Sequence, residues 1–70
     1  MRDTDVEVGP AGIRLGRLLK FVGAVDTGGD VKSLLAEGEV LVDGVAETRR
    51  GAQLMPGQRV TVRGATYLLR

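Results

Sequence analysis

Seventy residues, 43% of them hydrophobic and 27% charged, describe one small domain with a core rather than a disordered chain. Neither cysteine nor histidine is present, which excludes disulfide staples, thiolate metal sites and the commonest general base. The formal net charge is only +1, so any hold on a polyanion has to come from a local patch.

The charge is unevenly spread. Positions 1–12 hold Arg2 against Asp3, Asp5 and Glu7. The rest of the chain holds the other nine of ten basic residues against the other six of nine acidic ones. The leader ends in Gly9-Pro10-Ala11-Gly12, a breaker cluster that reads as a loop or arm, with Val6 and Val8 able to give at most a short edge strand. Residues 1–12 are therefore expected as an arm and 13–70 as a single domain.

Helix one is expected from Ile13 to Val22, with Gly23 as its stop. At about 100° per residue, Leu15, Leu18, Leu19 and Val22 share an arc of about 100°. Arg14, Arg17 and Lys20 share an arc of about 120° on the opposite side, and no acid interrupts them. A merely solvated face usually mixes signs, because oppositely charged pairs four apart stabilise a helix by ~0.2–0.5 kcal/mol. Phe21 lies nearer the basic arc, although a place in the core or against the sheet is the expectation for it.

Helix two is expected after Thr27, which can cap it, with Asp30 placed to reach back as in a capping box. Val31, Leu34 and Leu35 give it one apolar stripe, and Gly38 ends it. Lys32 and Ser33 are exposed by periodicity. Residues 39–42 and 45–48 flank Asp43-Gly44, the signature of a type I′ hairpin turn. Arg49-Arg50-Gly51 follows as a basic loop. Pro56-Gly57 marks another turn, 59–63 alternates polar and apolar, and Gly64-Ala65 turns the chain into 66–69. The fold class is α+β, two packed helices against a small antiparallel sheet.

From Ile13 to Val60 the chain resembles the S-four RNA-binding domain, a family named after a small-subunit ribosomal protein. The resemblance rests on Arg14-Leu15, on LLAEGEVLVDG at 34–44 and on MPGQRV at 55–60, with Gly28-Gly29 before helix two as in the small stand-alone members. It implies a helix-turn-helix of the alpha-L type and binding of structured RNA, ribosomal or transfer RNA, in association with the ribosome. It also implies that Arg14, Arg17, Lys20, Lys32, Arg49 and Arg50 line the RNA-facing side. Two departures stand out: Gly16 replaces an acidic residue common after Arg-Leu, and helix two lacks a basic residue at its start.

Catalysis is not expected. Asp26-Thr27-Gly28 also matches the active-site loop of aspartic proteases, but that chemistry needs two carboxylates sharing a proton, and helices are expected on both sides of the motif. No Gly-Lys-Ser/Thr phosphate loop and no metal cage is in view, so no cofactor is expected. There is no apolar run for a membrane span and no signal-peptide core near Met1, which points to a soluble, cytoplasmic protein, expected as a monomer. The alternative is a protein-interaction or accessory subunit without direct RNA binding, suggested by the near-neutral charge and the acidic leader.

Overall fold

Strict alternation decides the centre of the sheet. In the computed structural model, which describes residues 2–25 and 31–70, Arg59–Val62 is a strand with Val60 and Val62 buried and Arg59 exposed. The elements in chain order are β1 (Arg2–Val6), β2 (Ile13–Arg14), α1 (Leu15–Phe21), α2 (Val31–Ala36), β3 (Val40–Val42), β4 (Val45–Ala46), β5 (Gln53–Leu54), β6 (Arg59–Val62) and β7 (Ala65–Leu69). Five strands form one sheet in the order β1-β7-β6-β3-β4, and β2 pairs with β5 in a separate ribbon.

The core is aliphatic. Leu15, Leu18 and Leu19 of α1 and Val31, Leu34 and Leu35 of α2 join Val6, Val40, Leu54, Val60, Val62 and Leu69 in one cluster. Burying a leucine or valine side chain stabilises the fold by ~1.5–3 kcal/mol, and a domain this small has few such residues to lose. On the other sheet face Thr61 and Thr66 stand opposite each other, their hydroxyls 3.3 Å apart. That pairing satisfies Thr66, which is buried.

Three expectations are corrected. The sheet is mixed, because β1 runs parallel to β7 in the register Arg2↔Ala65 to Val6↔Leu69. The leader read as a loop or arm, with at most a short edge strand at Val6 and Val8, thus supplies a five-residue edge strand at Arg2–Val6. It is tied further by Val8 N–H to the Arg70 carbonyl (2.7 Å) and Arg70 N–H to the Val6 carbonyl (2.9 Å). Val6 is its one apolar residue and is buried, so alternation could not set the strand's extent. Second, α1 starts at Leu15, not Ile13, because Ile13 and Arg14 are extended and pair with Leu54 and Gln53. Third, the last turn is Arg63-Gly64, with φ of 50° and 78°, so β7 begins at Ala65.

The turn expected between the helices, with the Thr27 cap, the Asp30 capping box and the Gly28-Gly29 pair, lies outside the described residues. Both helices nevertheless contribute to the single core. Gly12 is forced by space as well as by its φ of 75°: a Cβ there would overlap the Leu54 carbonyl.

The Asp43-Gly44 turn has positive φ at both residues, 52° and 83°, as a type I′ hairpin requires. Asp43 does more than turn. Its carboxylate accepts from the Arg59 N–H at 3.0 Å and from the Gln58 side-chain amide at 3.2 Å, while its own N–H donates to the Arg59 carbonyl at 2.8 Å. It clamps the hairpin onto the start of β6. Asp43→Ala removes both acceptors and places alanine in the left-handed region, and should destabilise the fold by about 1–3 kcal/mol in urea denaturation. Asp43→Asn, which tolerates that backbone and keeps one oxygen, should lose less than about 1 kcal/mol; equal stability of both variants and the parent would refute the clamp.

Candidate functional site

The first turn of a helix has N–H groups with no partner inside it. In α1 no side chain caps them: Arg14, at the cap position, makes no side-chain cap hydrogen bond. The loop before β5 satisfies two of them instead. Leu15 N–H donates to the Ala52 carbonyl at 2.9 Å and Gly16 N–H to the Arg50 carbonyl at 2.8 Å. Gly16 suits this contact because a Cβ there would already lie 3.3 Å from that carbonyl oxygen and 3.8 Å from Val31 Cγ1. Loop 49–52 is thereby laid against the start of α1.

The consequence is an open groove of about 520 Å³ lined by Arg14, Gly16, Arg17, Lys20, Val31, Arg50 and Gly51. Four of the six expected residues therefore meet in one place. Arg14 passes close over the loop, since a Cβ on Gly51 would lie 3.8 Å from its guanidinium. Among the described residues that line the groove none is acidic. None of the four cations forms a salt bridge with a described carboxylate.

The other two expected residues stand apart. Lys32 is exposed on α2, next to Val31, but does not line the groove. Arg49 turns to Glu47: its Nε lies 3.3 Å from a carboxylate oxygen that also accepts the N–H groups of Thr48 and Arg49, each at 3.0 Å. The Arg49 side-chain hydrogen bond, then its backbone N–H, hold the Glu47 carboxyl below its ordinary range. Sequence reasoning took Arg49 and Arg50 as an equivalent pair. The nest of donors around Glu47 separates them.

Gly16, Gly51 and Val31 complete the groove and were not among the expected site residues. Gly16 was visible as a departure from the family pattern, and the signal in it is steric and electrostatic. An acidic side chain at that position would stand among the four cations, whereas glycine leaves the floor uncharged. Phe21, expected in the core or against the sheet, is instead 72% exposed at the end of α1. Leu15, Leu18 and Leu19 already fill the inward side. Asp3 and Asp5 of the acidic leader lie in β1, and Asp5 is paired with Arg70 at 3.0 Å. Among the described residues no cluster of acids could hold a metal ion, and no helix is long and apolar enough to cross a membrane.

Comparison with known proteins agrees with this architecture. YbcJ of Escherichia coli (strain K12), named as a candidate RNA-binding protein, is 40% identical over 52 residues, 74% of each chain. RlbA of Bacillus subtilis (strain 168), named as a candidate ribosome maturation protein, is also 40% identical over 52 residues, covering 74% of this chain and 73% of its own. No solved structure gives a significant match. The S4 domain profile matches residues 6–70, from the end of β1 onward. The chain belongs to the S4 domain family.

Proposed function

We propose that this protein binds structured RNA, of the ribosomal or transfer RNA class, without catalysis, as a cytoplasmic monomer that works with the ribosome. RNA binding in general follows from the family; the class of RNA and the surface used are our reading. The observation that carries it is the groove in which Arg14, Arg17, Lys20 and Arg50 meet, with no acid among the described residues of its lining. Cations held this close repel one another, and an anionic partner relieves that repulsion. Arginine suits the task because its planar fork can hold a phosphate through two hydrogen bonds. The ribosomal connection is supported by the name of the Bacillus relative. Lys32 flanks the groove, and Arg49 is a reserve contact restrained by Glu47. The helix pair, in this reading, is the helix-turn-helix that presents α1 to the RNA. A protein-partner role had the acidic leader as its motive, and pairing of Asp5 with Arg70 within the sheet accounts for part of that charge.

Four phosphate contacts release condensed counterions, so the logarithm of affinity should fall with the logarithm of salt at a slope of roughly −3. Titration of a ribosomal RNA hairpin and a transfer RNA across a salt series measures it. The Arg14→Glu/Arg17→Glu double variant should bind roughly a hundred-fold more weakly and with a shallower slope. Wild-type affinity in that variant, or a flat salt response, would contradict the groove as the RNA site.

If these cations serve binding and not folding, neutralising one should not destabilise the protein. Arg17→Gln should leave the fold unchanged or more stable by about 0.2–0.5 kcal/mol at low salt, since like charges at helical spacing repel. Thermal melts at low and high salt check this; a clear loss of stability would give Arg17 a structural role.

Glu47 provides a pH handle. Its lowered pKa means that the contact with Arg49 stands above the usual glutamate value of about 4.3 and is lost as pH falls through the lowered one. At neutral pH, Glu47→Gln should free Arg49 and strengthen RNA binding about two- to five-fold at low salt. Unchanged or weaker binding would show that Arg49 has no part in the interface.

A further inference from the structure

Phe21 is the chain's only phenylalanine. It is the last residue of α1, directly after Lys20, and 72% exposed. The helix face that packs inward is complete without it, since Leu15, Leu18 and Leu19 are fully buried. At about 100° and 1.5 Å per residue, Phe21 stands about 40° from Arg17 around the helix and about 6 Å further along its axis. The ring therefore lies on the cationic stripe of α1, one turn beyond an arginine that lines the groove. A bare phenyl ring gains nothing from phosphates. It does stack on nucleobases, and each such stack is sequence-tolerant because every base has a π-face. A continuous duplex keeps its base faces occupied, whereas loops and bulges splay them out.

We propose that Phe21 is a stacking platform for one unpaired base whose flanking phosphates occupy the groove of Arg14, Arg17, Lys20 and Arg50. This rests on the RNA reading above and narrows it. The preferred partner is a stem interrupted or ended by an unpaired nucleotide, and not a continuous duplex. Lys20 and Arg17 hold the backbone while the ring takes the base. Recognition is by shape, because stacking alone does not read base identity.

Two hairpins that differ only in one bulged nucleotide, a fluorescent adenine analogue, test it. The wild-type protein should bind the bulged hairpin about ten-fold more tightly than the paired one, the scale of a single aromatic stack, and change the analogue's fluorescence. Phe21→Ala should bind both hairpins at the level of the wild type on the paired stem, with the same salt slope and the same melting temperature. Phe21→Trp should restore the preference. A Phe21→Ala variant that keeps the full preference overturns the proposal, as does a wild-type protein that binds both hairpins equally. A wild-type protein that binds neither hairpin overturns the RNA reading itself, and this proposal with it.

Discussion

Leu15 and Gly16 give their N–H groups to the carbonyls of Ala52 and Arg50, and the charged groove depends on that pairing. A helix start left without a side-chain cap would leave donors unsatisfied at its first turn. Here a loop more than thirty residues further along supplies the acceptors, with β2 and β5 paired alongside. One backbone contact thus serves two ends. It terminates the helix, and it brings Arg50 against Arg14 and Arg17.

The electrostatic arrangement runs against what folding alone would favour. Like charges at helical spacing cost a few tenths of a kcal/mol per pair, and a domain of this size has a limited core with which to offset such terms. Carboxylates elsewhere among the described residues are put to use: Asp43 clamps a turn, Glu47 gathers the donors of its loop, and Asp5 holds Arg70. None of these lines the groove, where Gly16 adds no side chain and no charge of its own. Separation of this kind, acids employed at turns and strand ends while the bases at one concavity have no salt bridge to a described carboxylate, is what an anion-binding surface requires.

The apolar periodicity of α1 and α2, the Asp43-Gly44 turn and the alternation of β6 were legible because each is a local pattern with a local physical cause. The family pattern was legible for the same reason, being carried by turn residues and a short helix start. The parallel pairing of β1 with β7 was not, since a strand with a single buried apolar residue is recognised only by the partner it meets at the other end of the chain. The start of α1 was misplaced by two residues because the competing partner of Ile13 and Arg14 lies on β5, which sequence gave no sign of. Arg14, Arg17 and Lys20 could be grouped from helical spacing; the family resemblance added Arg50, and the loop docking supplies the contact that brings it to them. Arg49 was set apart by three donors converging on Glu47, a geometry that composition does not encode.

The central claim is that α1, the start of α2 and loop 49–52 form a single RNA-binding surface. Titrating an RNA hairpin into isotope-labelled protein and following the backbone amide resonances tests this most directly. Arg14, Gly16, Arg17, Lys20, Val31, Arg50 and Gly51 should shift together, with one common midpoint, while the amides of β4 stay in place. Shifts confined to the outer sheet face around Thr61, or to the helix without the loop, would contradict the account.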